Sequence, residues 1–460
     1  MMKILFRSIL TVVLLAFSAG AEAGLKEAQD AYVSGNFSFA FTEFRLLAVK
    51  GDATAQLGLG QMYHEGQGAP QDYRMAMLWY RKAAEQGNAT AQFNLGAMYC
   101  EGTGARRQDC GESLLWYRKA ADQGNALAQY ALAQMYAKGL GTAKDLKKAA
   151  LWYRKAAEQG NVPAQRSLAQ MYANGQGVPK DYKEAASWYV KAAEKGNAAE
   201  QYALGVMYAK GNGVPQDYKE AISWYRKAAE RGYLLAQLSL GAMYTNAQQS
   251  VPQDGKEAAM WYRKAAEQGN VTAQLNLGRM YSEGKGVKKD YGEAASWYRK
   301  VAERGDASAQ LALGVMYANG QGVRQDYREA AIWYRKAAEQ GNALAQNNLG
   351  VKYFNGQGVQ QDYKEAASWY RKAAEQGNAS AQSNLGLMYT KGQGVPYDLV
   401  QAYKWLSLAA GAGNPSALED KRIVEASMSP KQIGNAQSLA REWIAQSGVL
   451  PQPVKNTGAE

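Results

Sequence analysis

The side chains most often used for metal binding and nucleophilic catalysis are scarce in this sequence. Its 460 residues include one histidine, His64, and two cysteines, Cys100 and Cys110. A zinc site built from cysteine and histidine takes about four ligands, and an iron–sulfur cluster held by cysteines takes about four thiolates. A triad that uses histidine would have to use His64. Because no pair of acidic residues stands out for acid–base work either, the sequence predicts no catalytic residue, no metal ion and no cofactor.

Glycine-rich turns are a second feature that could bind a ligand. Segments such as Gly66-Gln67-Gly68 are similar in composition to phosphate-binding loops. A phosphate loop follows a β-strand and opens a helix. Here helical patterns lie on both sides of the glycines and no strand pattern precedes them, so we interpret these segments as turns between helices.

Basic pairs beside aromatic residues are a third candidate. A Trp-Tyr-Arg-Lys run, such as the one ending in Arg81 and Lys82, recurs along the chain. Such runs suit nucleic acid, but Glu85 follows Arg81 by four residues, and this spacing predicts paired charges on a solvated helix face. We therefore expect no nucleic-acid partner. The net charge of +12 still allows a weak attraction to anionic envelope polymers or lipid headgroups.

The N-terminal segment has the features of a cleaved export signal. Lys3 and Arg7 precede a short apolar run from Ile9 to Phe17, and Ala21-Glu22-Ala23 offers the small residues that signal peptidase selects. The run is shorter than the roughly 20 residues of a membrane-spanning helix. Residues 1–23 are thus predicted to be a signal peptide rather than a buried first helix. The mature chain, from about Gly24, is predicted to be periplasmic or secreted and not membrane-spanning.

An internal repeat sets the elements that would position any site. Ten tryptophans follow one another at intervals of 36 or 37 residues. A period of this length is typical of helical solenoids. The ten positions are Trp79, Trp116, Trp152, Trp188, Trp224, Trp261, Trp297, Trp333, Trp369 and Trp405.

Each repeated unit contains two helical patterns and one turn. In the unit that begins at Asn342, apolar residues recur at helical spacing until Gly356 ends the pattern. Asp362 can then cap a second amphipathic helix, which ends at Gly377. Neither helix could bury its apolar stripe alone, so the units must stack on one another.

The residues of this pattern also carry a family resemblance. The run A-x-A-Q-x-x-L-G-x-M-Y-x-x-G-x-G-V-x-x-D-Y-x-E-A-x-x-W-Y-x-K-A-A-E-x-G resembles the Sel-1-like repeat, a relative of the tetratricopeptide repeat. It stands ten times between residues 52 and 413. The resemblance implies an all-α fold, a right-handed α/α superhelical solenoid, and the role of a scaffold that holds other proteins.

Both ends of the repeat array are predicted to be helical caps. Residues 24–51 resemble a shorter, degenerate helix pair, and residues 414–447 depart from the repeat but show two helical patterns. Terminal units with an altered outer face keep a solenoid soluble. Residues 448–460 are predicted to be a disordered tail.

Binding residues are expected where the units differ from one another. In the tetratricopeptide architecture the first helix of each pair lines the concave surface, and the resemblance places there the residues two before and two after the repeated leucine. They predict an apolar, aromatic-rich groove that contains arginine, and these residue types are common in binding hot spots. The alternative is that these side chains pack between neighbouring units. The candidates are Phe93, Tyr130, Arg166, Tyr202, Leu238, Leu275, Arg279 and Leu311.

The two cysteines are predicted to form a disulfide. Cys100 ends the first helix of its unit and Cys110 starts the second, so the turn between them brings the two positions together. An exported chain with two cysteines is expected to pair them. The alternative is that two small residues stand at these positions independently.

Taken together, these features predict an exported, non-catalytic scaffold or adaptor that binds proteins or peptides on its concave face. An adaptor for envelope polysaccharide or peptidoglycan is the alternative. A third possibility is an enzyme, because the resemblance includes cysteine-rich exported relatives linked to β-lactam binding and hydrolysis. Those relatives carry cysteine pairs in most repeats, whereas this chain has a single pair.

Overall fold

The computed structural model describes residues 23–104, 107–246 and 252–447. These ranges contain 24 α-helices and no β-strand, and none of the helices is long and apolar enough to cross a membrane. The chain divides into two compact units, residues 1–231 and 232–460. The predicted signal peptide and the predicted tail fall outside the described residues, apart from Ala23, where the first helix begins.

The first unit consists of an N-terminal helix pair and five repeats, each a first helix followed by a second helix. The N-terminal pair is α1 (Ala23–Val33) and α2 (Phe37–Val49). The five repeats are α3 (Ala53–Glu65) with α4 (Tyr73–Glu85), α5 (Ala89–Glu101) with α6 (Cys110–Asp122), α7 (Ala126–Lys138) with α8 (Leu146–Glu158), α9 (Val162–Asn174) with α10 (Tyr182–Glu194), and α11 (Ala198–Lys210) with α12 (Tyr218–Glu230).

The second unit consists of five more repeats and a C-terminal helix pair. The repeats are α13 (Leu234–Asn246) with α14 (Gly255–Glu267), α15 (Val271–Glu283) with α16 (Tyr291–Ala302), α17 (Ala307–Asn319) with α18 (Tyr327–Glu339), α19 (Ala343–Asn355) with α20 (Tyr363–Glu375), and α21 (Ala379–Lys391) with α22 (Leu399–Gly411). The C-terminal pair is α23 (Pro415–Glu425) and α24 (Pro430–Ser447).

The repeated polar residues set the helix ends. Asn342 caps α19, because its Oδ1 accepts the backbone N–H of Ala345 at 3.0 Å. Gly356 ends that helix in the left-handed conformation, with φ of 65°, which glycine adopts without steric cost. Asp362 caps α20 by accepting the backbone N–H of Lys364 at 2.8 Å. The same chemistry recurs in the other repeats, except that α13 follows Tyr233 instead of a capping Asn or Asp. Most helix boundaries therefore follow from the sequence.

Two glycines of the pattern allow close packing. A Cβ on Gly350, in α19, would lie 2.7 Å from the ring of Tyr370 in α20. A Cβ on Gly358, in the turn, would lie 2.1 Å from the carbonyl oxygen of Tyr327 in the preceding repeat. Both approaches leave no room for a side chain. Gly350 thus allows the two helices of one repeat to pack closely, and Gly358 allows neighbouring repeats to do so.

The repeated tryptophan stacks one helix pair on the next. Trp116 of α6 packs with Tyr80, Ala83 and Ala84 of α4 in one buried cluster. Trp369 of α20 packs in the same way against α18. Within each unit, successive helices up to α23 are in contact, and α24 packs on α22. The core therefore lies between stacked pairs. This confirms the predicted α/α solenoid.

Helix pairs also close the described ends. In α2, Phe44 lies in a buried cluster with Ala28 of α1 and Trp79 of the first repeat. At the other end, α22 contacts both α23 and α24. The ring of Trp443 meets that of Trp405 edge to face, with centroids 6.0 Å apart. Both terminal pairs therefore bury the apolar surface of the adjoining repeat.

Candidate functional site

The candidate site is the surface formed by the side chains two before and two after the repeated leucine in the first helices, here called the first-helix face. In each unit, one side chain of this face contacts the first helix of the next repeat, through a residue that lies outside the face. Arg166 Nη1 of α9 lies 3.3 Å from Glu200 Oε1 of α11. Asn384 Nδ2 of α21 donates to Asn347 Oδ1 of α19 at 3.2 Å. The predicted residues thus form a row on adjacent helices within a unit.

Two of the predicted groove residues belong to the core. Phe93 and Tyr130 are only 5% and 9% exposed. The Phe93 ring lies 5.6 Å from the ring of Tyr117, and the Tyr130 ring lies 5.7 Å from that of Tyr153, centroid to centroid. Each side chain therefore fills space against the second helix of its own repeat. For these two positions the packing alternative describes the structure, and little of either side chain is available to a partner.

The other six predicted residues keep part of their surface open to solvent. Arg279 is exposed, and its Nη2 donates to Asn276 Oδ1 at 3.1 Å. The remaining five are half-buried. Their role in binding stays a prediction. They are Arg166, Tyr202, Leu238, Leu275 and Leu311.

Leu238, Leu275 and Leu311 stand at equivalent positions of three consecutive first helices, α13, α15 and α17. Leu238 contacts one buried cluster, Leu275 the next and Leu311 a third. Each leucine is thus anchored on one side and open on the other. Arg279 follows Leu275 by four residues, one helical turn along the same face. This part of the second unit presents an apolar row beside one exposed cation.

A buried carboxyl group in the first unit was missed by the sequence analysis. Glu200 is 1% exposed and stands where the nine other repeats carry alanine. Burial raises the pKa of this carboxyl, and the nearby Arg166 guanidinium opposes the rise. The signal was present in the sequence as an acid that departs from the A-x-A-Q pattern. Its charged partner is Arg166, so the two form an ion pair and not a pair of acids that could share a proton.

A second off-pattern charge lies in the second unit. Lys352 is buried at the position where the other repeats carry methionine. Its Nζ donates to Gln357 Oε1 at 2.9 Å and lies 4.3 Å from the ring centroid of Tyr327. Burial lowers the pKa of this amine. The amide and the ring together replace the contacts that water would make with the ammonium group.

His64 lies near the end of the first helix of the first repeat, α3. It is half-buried, and its ring meets that of Tyr73 edge to face, with centroids 5.2 Å apart. Burial lowers the pKa of the imidazole. The histidine therefore fills the space between the two helices of the first repeat.

The two cysteines lie on the two helices of the second repeat, one on each side of the turn. In this structure both are thiols, with Cys100 buried and Cys110 half-buried. Burial raises the pKa of Cys100, and the charge of a thiolate on Cys110 would raise it further. Cys100 lies near the end of α5, and Cys110 begins α6. The disulfide between them stays a prediction.

Seven arginines of the basic runs donate to a tyrosine hydroxyl of the next repeat. Arg81 donates in this way to the hydroxyl of Tyr99. Arg371 makes the equivalent contact with Tyr389, at 2.9 Å. The lysine that follows lies over the repeated tryptophan, with Nζ 3.8 to 4.5 Å from the ring centroid. Nine lysines do so: Lys82, Lys119, Lys155, Lys191, Lys227, Lys264, Lys300, Lys336 and Lys372.

One segment has the Ser-x-x-Lys spacing of the serine β-lactamases and penicillin-binding proteins. Ser282 and Lys285 lie on either side of Gly284, where α15 ends. Ser282 Oγ donates to the carbonyl oxygen of Arg279 at 2.8 Å, and Lys285 Nζ pairs with Glu283 at 2.8 Å. Neither side chain is directed at the other, so this segment lacks an activated nucleophile. Within the described ranges, no three His, Cys, Asp or Glu side chains gather as metal ligands would.

Comparison with known proteins connects this architecture to a family. A family model described as Sel1 repeat matches ten segments of the chain. The chain matches none of the curated proteins. The matched segments are residues 53–88, 89–125, 126–161, 162–197, 201–233, 234–270, 271–306, 307–342, 343–378 and 379–414.

Two solved structures are similar over most of their length. One is a protective antigen present in uropathogenic Escherichia coli strains that displays an SLR fold. It is 38% identical, the match covers 95% of this chain and 96% of that chain, and the TM-score is 0.70. The other is a Sel1 repeat protein from Oxalobacter formigenes. It is 37% identical, with 70% and 91% of the two chains covered and a TM-score of 0.53.

Proposed function

The chain belongs to the Sel1 repeat family, and on that premise we propose that it is an exported, non-catalytic scaffold that holds a protein or peptide on its first-helix face. Sel1-repeat proteins are typically protein-interaction scaffolds. The finer proposal concerns where this chain binds and in which compartment. The binding site and the compartment are both argued from residues of this chain that are not part of the shared repeat pattern.

The observation that carries the binding proposal is the apolar row of Leu238, Leu275 and Leu311 with Arg279 beside it. The residues that pack the repeats are the same from unit to unit, whereas these positions vary and keep open surface. Anchored leucines offer a partner apolar surface at little entropic cost, since packing already restricts their rotamers. An exposed arginine adds a bidentate donor. The row fits an extended or helical peptide with apolar side chains and one carboxylate.

Site-specific photocrosslinking tests this placement. A crosslinking residue at Leu275 is expected to capture an envelope protein, while the same residue at Ser296, exposed on the second helix of that repeat, is the matched control. Arg279→Glu should reduce capture at Leu275 without changing the melting temperature, because Arg279 is exposed. Equal capture at both positions, or capture unaffected by Arg279→Glu, would contradict a specific site on the first-helix face.

Export is supported by the N-terminal segment and by the E. coli relative, whose name describes a protective antigen. Protection by an antigen generally requires that antibodies can reach it. Mass spectrometry of the protein from its native host is expected to show a mature N-terminus near Gly24. An intact N-terminus on protein recovered from the cytoplasm would overturn the compartment and leave the binding site untouched.

The non-catalytic part of the proposal is tested separately. Purified protein is expected to give no turnover of nitrocefin above that of buffer, because the Ser282 segment places its lysine on Glu283. Turnover that Ser282→Ala abolishes would show an enzyme instead. The alternative partner, envelope polysaccharide or peptidoglycan, would appear as sedimentation with isolated peptidoglycan that Arg279→Glu weakens.

A further inference from the structure

The second helices at the start of the chain expose an unusual amount of apolar surface. We call this set the apolar stripe, and its side chains are between 44% and 72% exposed. Single exposed apolar residues are normal, whereas a contiguous patch marks an interaction site. The stripe consists of Phe39, Leu46 and Val49 of α2, Leu78 of α4, Leu115 of α6 and Leu151 of α8.

These side chains are adjacent because the second helices lie side by side. Trp79 packs against Phe44 of α2, Trp116 against Tyr80 of α4, and Trp152 against Tyr117 of α6. Packed helices are about 8–10 Å apart. Each of the three leucines directly precedes one of these tryptophans, so the leucines stand in register on neighbouring helices. On α2, Phe39, Leu46 and Val49 share one helix face, since their spacings of seven and three residues are helical.

A row of cations runs along the apolar stripe. Lys82, Lys119 and Lys155 follow the three leucines by four residues, one turn along the same face. Their Nζ atoms lie 4.2, 4.1 and 4.1 Å from the tryptophan ring centroids. They are exposed, and an aromatic ring rather than a carboxylate supports each one. On α4, α6 and α8 basic side chains outnumber acidic ones by nine to four.

The fold does not need this surface to be apolar. At the position of the three leucines, four of the later second helices carry serine, and two others carry Met260 and Ile332. The serines are Ser187, Ser223, Ser296 and Ser368. These helices pack in the same way on their neighbours. The N-terminal pair is also the end of the array, where a polar outer face would favour solubility, yet α2 exposes phenylalanine, leucine and valine there. The apolar residues of the stripe are therefore not required by the repeat fold, and they indicate a surface that binds a partner.

We propose that the apolar stripe and its lysines dock the first unit on an anionic lipid surface. Apolar side chains flanked by lysine fit the boundary between the headgroups and the acyl chains of a membrane. There the apolar side chains insert among the acyl chains, and the lysines contact phosphate groups. A nucleic acid or an acidic polysaccharide would use the lysines and leave the leucines in water. A protein partner would use the leucines without requiring anionic lipid. This inference goes beyond the scaffold function, since it uses the second helices and leaves the first-helix face free.

Vesicle sedimentation tests the proposal. The purified protein, with the same N-terminus in every variant, is mixed with vesicles of phosphatidylcholine alone or with about one third phosphatidylglycerol. We expect binding to the mixed vesicles, weaker binding to phosphatidylcholine, and loss of most binding at about 1 M salt, where charges are screened within roughly 3 Å. Equal binding to both kinds of vesicle would overturn the role of the lysines.

Substitutions by the repeat's own residue separate the outcomes. The triple change Leu78→Ser, Leu115→Ser and Leu151→Ser should weaken binding by about tenfold or more, since a large share of the inserted apolar area is removed. The matched control is Met260→Ser with Ile332→Ser, at the same position of α14 and α18 in the second unit, and should bind as the wild type does. Circular dichroism melts verify that both variants fold.

A set of lysine changes completes the test. Lys82→Gln, Lys119→Gln and Lys155→Gln together should lower affinity for the mixed vesicles and reduce its salt dependence. If the serine variant binds as well as the wild type while the glutamine variant does not, the surface binds polyanions by charge alone and the lipid proposal is wrong. If neither variant differs from the wild type, the apolar stripe is not the docking surface.

Discussion

Cys100 and Cys110 stand on either side of the turn of the second repeat, at the positions that two aromatic rings occupy in other repeats. His64 and Tyr73 hold these positions in the first repeat, and Phe354 and Tyr363 hold them in the ninth. In both of those pairs the ring centroids are 5.2 Å apart. The pair position thus joins the end of a first helix to the start of a second helix, and two cysteines there are poised for a bond.

We predict that oxidation joins Cys100 to Cys110 and stabilises the fold by about 3 kcal/mol in the chain-entropy model. Urea denaturation with and without reductant measures the difference. Cys110→Ser should be insensitive to reductant. Two titratable thiols in denatured protein taken from an oxidising compartment would refute the bridge. In the reduced protein, iodoacetamide should label Cys110 before Cys100, because burial raises the pKa of Cys100.

Tyr130 and Tyr202 stand at equivalent positions but are buried to different extents. Tyr130 is in the core, whereas Tyr202 is half-buried. Tyr130→Ala should therefore destabilise the protein by about 3–5 kcal/mol, as large aromatic truncations in cores do. Tyr202→Ala should cost clearly less. Chemical denaturation of the two variants makes the comparison, and a similar loss for both would place Tyr202 in the core as well.

The sequence alone predicts most of the architecture, because the same packing residues recur in most of the ten repeats. Each repeated residue type has one structural role. The tryptophan stacks the helix pairs, Asn and Asp cap the helices, and the glycines leave room for a neighbouring ring or carbonyl. The regular spacing of these residues makes the roles visible in the sequence. The two-helix repeat and its stacking therefore follow from the types and spacing of these residues.

The candidate site was harder to derive, because burial at a variable position depends on its neighbours. Phe93 and Tyr130 belong to one buried cluster, which also contains small residues such as Ala97 and Ala131. Leu311, at the same position of another repeat, stays half-open. The repeat period does not predict which of these equivalent side chains is buried. Glu200 and Lys352 could have been found, since each breaks a pattern that the other repeats keep.

A repeated glutamine pair explains several buried polar atoms that lack a partner. In six repeats the residue that ends the second helix is glutamine, and its Nε2 donates to the Oε1 of the buried glutamine of the first helix at 2.7–2.8 Å. In four repeats another residue stands there. In those four, the buried Oε1 has no hydrogen-bond partner among the described residues. They are Gln165, Gln201, Gln274 and Gln382, opposite Lys195, Arg231, Arg304 and Ala412.

Lys195→Gln is therefore expected to stabilise the protein. The new amide can donate to Gln165 Oε1, as Gln159 Nε2 does to Gln129 Oε1 at 2.8 Å. One hydrogen bond to a buried acceptor contributes about 0.5–1.5 kcal/mol. The reverse change, Gln159→Lys, is the matched control and should destabilise by a similar amount. Thermal and urea denaturation measure both, and a Lys195→Gln variant no more stable than the wild type would disprove the pairing.

The contribution of Glu200 to the stability of the fold depends on pH. Burial raises the pKa of Glu200 above its ordinary value of 4.5, so between the unfolded and folded pKa values the native state binds more protons than the unfolded state. Stability contributed by this group therefore falls as pH rises through that window. At neutral pH the buried carboxylate is a net cost, which Arg166 offsets only in part.

Glu200→Ala restores the residue of the nine other repeats and is expected to stabilise the protein at pH 7, because it removes a carboxylate whose pKa burial raises. Arg166 then loses its partner, but its side chain is 43% exposed and water can solvate it. The advantage should shrink below about pH 4.5, where Glu200 is protonated in both states. Urea denaturation at pH 7 and pH 4 measures it. A variant less stable than the wild type at pH 7 would show that the ion pair with Arg166 outweighs the cost of burying the carboxylate.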